Sequence, residues 1–130
     1  SGHGMCTWYF NPLTLDQAQL HDVCVSMLSH ASRDVEEEVL AAFVEAAAGG
    51  YLRAPQYHSW AHAVDVTHTL FIVLHQCSGG PHMLLSWLEE FSLLVSAVCH
   101  DIGHPGVNND FLVQTSHELA IRYNDKSPLE

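Results

Sequence analysis

Positive charge is nearly missing from this sequence. Besides histidine, only Arg33, Arg53, Arg122 and Lys126 are basic, against 15 acidic residues, for a formal net charge of −11. Such a chain cannot neutralise a run of phosphates, which excludes binding to a nucleic-acid backbone. Long apolar runs are missing too. The stretch Leu70 to Leu74 is among the longest, whereas a membrane helix needs about 20 apolar residues, so no membrane insertion is expected. No C-x-x-C pair occurs: Cys6, Cys24, Cys77 and Cys99 are widely spaced. That spacing predicts free thiols and a reducing, cytoplasmic setting rather than a disulfide scaffold. No secretory signal is read, and the opening SGHGM (1–5) reads as an expression remnant outside the fold. Repeats, low-complexity tracts and strand-like alternation are likewise absent.

What the chain does have is apolar residues for a core (48%) and 11 histidines in 130 residues. That length predicts one domain. Apolar positions at Leu20, Val23, Cys24, Met27 and Leu28 follow the helical period, with Thr14 as the expected N-cap. SRDVEEEVLAAFVEAAAGG predicts a second helix, capped by Ser32 and ended by Gly49-Gly50. A third helix is expected from Trp60 to Cys77 and a fourth from Pro81 to Ile102, with Glu89 and Glu90 on its wet side. GHPGVNND reads as a loop. A fifth helix, HELAIRYND, would be capped by Thr115 or Ser116. The expected class is all-α.

Two segments concentrate chemistry. In YHSWAHAVDVTH, His58 and His62 stand four residues apart at a helix start, where both can face one cleft. In VCHDIGHPG, an apolar helix runs into His100, Asp101 and His104. If the two helix ends meet, imidazole and carboxylate make a site suited to Zn²⁺, Mn²⁺ or Fe²⁺, with Mg²⁺ at a more oxygen-rich neighbour. One carboxylate can bridge two ions, and a metal pair can activate water for attack on phosphorus. An imidazole is the side chain best tuned to protonate the leaving oxygen. Asp65 is better read as a buttress of His62 than as a ligand. His68 is read as structural; His75, more so. His21, His30, His82 and His117 are read as surface or cap residues, and Trp60 and Trp87 as core or interface aromatics.

YHSWAHAVDV resembles the Y-H-N-x-x-H-A-x-D-V signature of the class I cyclic nucleotide phosphodiesterases. HDIGHPGVNNDFL resembles their H-D-x-x-H-x-G-x-x-N segment, and ELAIRYNDKSPLE the stretch that follows. All three stand in the family's order over about the last three-fifths of the chain. The resemblance implies a compact multi-helix catalytic domain of the HD-type metal phosphohydrolases, of which residues 6–130 would be the N-terminal portion. It implies that His62, His100 and Asp101 hold a zinc ion, with Asp101 bridging to Mg²⁺ or Mn²⁺ and His104 in that second ion's water shell. It implies His58 as proton donor to the 3′-oxygen, Tyr57 and Asn109 as pocket residues, and Glu130 as an acid supporting His58. Ser59 stands where the family has Asn, which predicts a weaker hydrogen bond at the helix start. Gly103 stands where an acid is frequent.

The implied reaction is hydrolysis of 3′,5′-cyclic AMP or GMP to the 5′-monophosphate. The implied partners are that nucleotide, the remainder of the catalytic domain beyond Glu130 and, as an option, a second copy of the chain. A fourth metal ligand and the purine-binding residues would lie downstream, so a free fragment is expected to be inactive. Two other readings stay open at this stage: another HD-type metal phosphohydrolase, and a non-catalytic helical module that binds metal or a partner.

Overall fold

The computed structural model describes residues 6–52, 57–77 and 85–129. Among these, every regular element is a helix. A 3-10 turn, Pro12–Thr14, precedes α1 (Gln17–Ala31), α2 (Glu37–Gly49), α3 (Trp60–Cys77), α4 (Trp87–Cys99), α5 (Asn109–Gln114) and α6 (Glu118–Arg122). The all-α expectation is met, with one helix more than the five expected.

The apolar periodicity of α1 buries Leu20, Cys24, Met27 and Leu28 as anticipated. They meet Leu40 and Val44 of α2, Ala63, Val64 and Phe71 of α3, and Leu94 and Val98 of α4 in one core. Full burial of each such leucine contributes roughly 1.5–3 kcal/mol. α3 lies against both α1 and α4, and α1 against α2. His68 is buried with Phe10 5.0 Å from its ring, a structural histidine as expected.

Helix ends differ from the sequence reading, each for a local reason. Thr14 does not cap α1, because its hydroxyl donates to Asn11 O within the 3-10 turn. Asp16 caps instead, in a reciprocal box with Gln19. Ser32 closes α1 through its N–H to Leu28 O and does not start α2, which begins at Glu37. Gly49 and Gly50 end α2 as expected. Ser86 and Glu89 form a capping box that starts α4 six residues later than predicted, and α4 stops at Cys99. The Ser78-Gly79-Gly80 terminator, Pro81 and His82 lie outside the described residues.

The segment read as a loop through Asp110 becomes helical at Asn109, because Asn108 Oδ1 accepts the Phe111 N–H at 2.9 Å. Neither Thr115 nor Ser116 caps α6. Ser116 sits at a positive φ of 51°, and the His117 ring accepts the Leu119 N–H.

Candidate metal centre

α3 and α4 bring opposite ends together, so that the first turn of α3 stands beside the last turn of α4. Their histidines meet there: the His62 and His100 rings are 5.6 Å apart by centroid. Asp101, immediately after His100, is the hub, with a side chain only 12% exposed. Its Oδ2 lies 2.8 Å from His58 Nδ1, 3.1 Å from His100 Nε2 and 3.9 Å from His62 Nε2. His104 completes the corner, stacking on His58 with centroids 3.7 Å apart.

The chain around Asp101 is shaped by its neighbours. Gly103, at φ 73°, turns the backbone through the left-handed region, where a side chain is strained, and its N–H donates to Gly50 O at 3.0 Å. This is a local reason for glycine where the family frequently has an acid. Ser59 does not leave the start of α3 poorly bonded. Its Oγ accepts the His62 N–H at 3.2 Å, the bond a serine makes at a helix N-terminus.

Tyr51 was not singled out by sequence, yet it braces the hub. Its hydroxyl donates to Val98 O at 2.7 Å and receives the Asp101 N–H at 3.4 Å. The partners are 47 and 50 residues away, so no local spacing could have revealed them. Burial pushes the Tyr51 hydroxyl pKa up to about 12, against the lowering effect of the Asp101 backbone bond. The Asp101 carboxyl moves the other way. Burial raises its pKa, but the His58 hydrogen bond and the charges of His100, His58 and His104 together outweigh burial and hold it below the ordinary value.

The donor set fits a divalent cation. His62, His100 and Asp101 offer three ligand atoms within 4.8 Å of one another, and His58, Asp101 and His104 offer a second such group. The polarity of His100 strengthens the fit. Its Nδ1 lies 2.8 Å from Ala97 O and can bond it only by donating. In the neutral ring the Nε2 lone pair then faces Asp101 Oδ2, an arrangement that a shared cation reconciles.

Other expected site residues fall at varying distances from this core. Tyr57 is exposed, with its ring 4.4 Å from that of His62 and 5.1 Å from that of His58. Asn109 Oδ1 receives the Leu129 N–H at 3.1 Å and ties the following stretch to α5. Asp65 is half-buried one turn along α3 and is in neither ligand group. Glu130 lies outside the described residues.

An all-α scaffold with a shared-carboxylate histidine corner is the architecture of the HD-type metal phosphohydrolases. A family profile for 3′5′-cyclic nucleotide phosphodiesterases matches residues 57–130, more than half the chain, and the chain belongs to that family. It is 33% identical over 127 residues to the 3′,5′-cyclic-nucleotide phosphodiesterase regA of Dictyostelium discoideum, covering 95% of this chain and 16% of that protein. It is 36% identical over 133 residues to the mouse dual specificity calcium/calmodulin-dependent 3′,5′-cyclic nucleotide phosphodiesterase 1C, covering 95% of this chain and 19% of that one. The crystal structure of the phosphodiesterase domain of a RhoPDE fusion protein from the choanoflagellate Salpingoeca rosetta superposes with a TM-score of 0.85 at 29% identity. That match covers 96% of this chain and 39% of the solved one. The chain therefore spans under a fifth of the length of these two curated relatives and about two-fifths of the solved domain.

Proposed function

We propose that residues 6–130 are the N-terminal part of a catalytic domain that hydrolyses 3′,5′-cyclic nucleotides, cAMP or cGMP, to 5′-monophosphates. One observation carries the reading: Asp101 is common to both three-residue groups, so its carboxylate stands where two adjacent cations could share it. In the second group His58 would serve as proton donor and His104 through water, rather than as direct ligands. His62, His100 and Asp101 would hold zinc. Asp101 would also serve a magnesium or manganese ion, with His104 in that ion's water shell. Divalent ions bound there would act as Lewis acids toward a phosphodiester and make nearby water more acidic.

The chain's own residues supply the rest. His58 donates from Nδ1 to Asp101, which leaves Nε2 to carry a proton to the departing 3′-oxygen. The stacked His104 ring keeps the His58 plane fixed. His104 Nδ1 accepts the Gly106 N–H at 3.0 Å, so in the neutral ring Nε2 bears the proton and can donate to solvent held at the site. Tyr57 would form one wall beside the phosphate. Asn109 would tie the Leu129 segment to the start of α5 beside the pocket, and Glu130 would be the acid that supports His58.

The partners in this reading are the cyclic nucleotide, the rest of the catalytic domain beyond Glu130 and, optionally, a second copy of the chain. The compartment is the reducing cytoplasm. No helix among the described residues is long and apolar enough to cross a membrane.

The test is an Asp101→Ala variant of a protein carrying the complete domain, assayed on cAMP, cGMP and an unrelated linear phosphodiester. Cyclic-nucleotide hydrolysis should disappear. Normal activity in the variant would defeat the mechanism. A parent protein active only on the linear ester would favour another metal phosphohydrolase.

A further inference from the structure

At the far end of the α3–α4 pair, a cavity of about 190 Å³ is lined by His30, Arg33, Phe71, His75, Trp87 and Glu90, among others. His30 stands in the last turn of α1 and His75 in the last turn of α3. Their ring centroids are 5.5 Å apart with a 65° angle between planes. For His62 and His100, two members of a ligand group at the Asp101 corner, the corresponding values are 5.6 Å and 65°. With a metal–nitrogen distance of about 2 Å, two imidazoles sharing a tetrahedral ion have centroids roughly 5 Å apart, close to the spacing seen in both pairs.

The pair is held in place by its surroundings. Phe71, buried in the core, meets His30 edge-on at 5.4 Å and stacks against His75 at 6.0 Å. One ring thus orients both imidazoles, while both histidines remain exposed to solvent. This differs from His68, which is buried.

We propose that His30 and His75 form a second metal site, specific for a borderline divalent transition ion such as Zn²⁺, Ni²⁺ or Cu²⁺, that bridges α1 to α3. Imidazole donors favour these ions over Mg²⁺ or Ca²⁺. Glu90 also lines the cavity but forms no three-donor group with the two imidazoles, so the remaining coordination would come from water. Arg33 also lines the cavity, with its guanidinium 6.0 Å from the Trp87 ring centroid. Its charge opposes a cation, so this site binds more weakly than the Asp101 corner. An ion held across two helices binds only the folded chain and therefore stabilises it. The site is independent of the phosphodiesterase reading.

The test is calorimetric titration of Zn²⁺ into the full chain and into His30→Gln and His75→Gln variants. The native chain should show a weaker binding step beyond the tight one, and each variant should lose that step alone. Equal zinc uptake in all three chains, or loss in only one variant, would overturn the site. The ring Hε1 resonances of His30 and His75 in the native chain give a second readout independent of variant folding. Both should move during the weaker step; resonances that stay still would overturn the proposal.

Discussion

His58 and Asp101, 43 residues apart in sequence, are joined by a 2.8 Å hydrogen bond from Nδ1 to Oδ2. A carboxylate behind an imidazole fixes which nitrogen faces outward. His58→Gln keeps a polar side chain but cannot deliver a proton. In a protein carrying the whole catalytic domain, kcat on a cyclic nucleotide should fall by about 10²- to 10⁴-fold, the usual contribution of a general acid. Metal content per chain should not change, which separates this role from ligation. Elemental analysis beside the kinetic assay checks both halves.

Asp101→Asn should act on metal first. Asn has nearly the same shape but no charge, and both ligand groups share this position. The variant should lose bound divalent ion, read by elemental analysis after dialysis. The metal-free chain offers a pH test as well. The Asp101 pKa is lowered in the fold, so its contribution to stability is present above the ordinary carboxylate value and lost as pH falls through the lowered one. The gap in urea midpoint between native and Asp101→Asn chains should narrow as pH falls below the ordinary carboxylate value of 3.8. A gap that widens would contradict this sign.

The corner was legible because its ligands fall in two short runs at helix ends, where three- and four-residue spacing already sets the face. The helix boundaries were not. Asn108 and Ser86 are turn formers and caps by the same property, a short side chain that bonds nearby backbone, and composition does not say which role wins. His117 caps α6 although histidine is no favoured cap, and Ser32 has the chemistry to open a helix but closes one. The start of α4 at Trp87 is hidden in the sequence because Leu85, just before the Ser86 cap, continues the apolar pattern. Tyr51 was missed because its partners are set only once α2 packs against α4.

Tyr51→Phe isolates that brace. Loss of the hydroxyl leaves Val98 O without its 2.7 Å donor and should destabilise the chain by about 1 kcal/mol. It also frees the Asp101 backbone, so zinc affinity should fall about tenfold, as for other groups that support a ligand. The Tyr51 pKa is raised from its ordinary 10 to about 12. Its contribution to stability is therefore full below about 10 and disappears as pH rises through about 12. Native and variant urea midpoints should converge across that interval. Unchanged zinc affinity would reduce Tyr51 to a packing residue.

Gly103 and Gly50 give a contrasting pair on one hydrogen bond. Gly103→Ala has open space for its Cβ, but φ is 73°, so left-handed strain alone should cost about 1–2 kcal/mol. Gly103→Asn, which tolerates that region, should cost less. At Gly50 the backbone is ordinary, and an added Cβ would meet Ile102 Cγ2 at 2.9 Å. Ile102 is 44% exposed and can turn aside, but the Ala47 backbone O at 3.2 Å is fixed, so Gly50→Ala should cost about 1–3 kcal/mol, the range for overpacking. Thermal unfolding of the three variants tests the ranking of Ala over Asn at 103. Equal losses there would remove backbone strain as the reason for glycine.

Ser59 tests whether the departure from the family's asparagine matters. Both side chains accept a backbone N–H at a helix start equally well, and here Ser59 Oγ receives that of His62, a residue of the metal group. Ser59→Asn should therefore be nearly neutral for stability and for zinc affinity. Ser59→Ala removes the acceptor and should cost about 1 kcal/mol. The bond sits at the backbone of His62, so fraying would displace the imidazole, and zinc affinity should weaken in the same variant. Chemical denaturation and zinc titration of the two variants decide the matter. An alanine variant that loses stability but binds zinc like the native chain would show that the cap serves α3 alone.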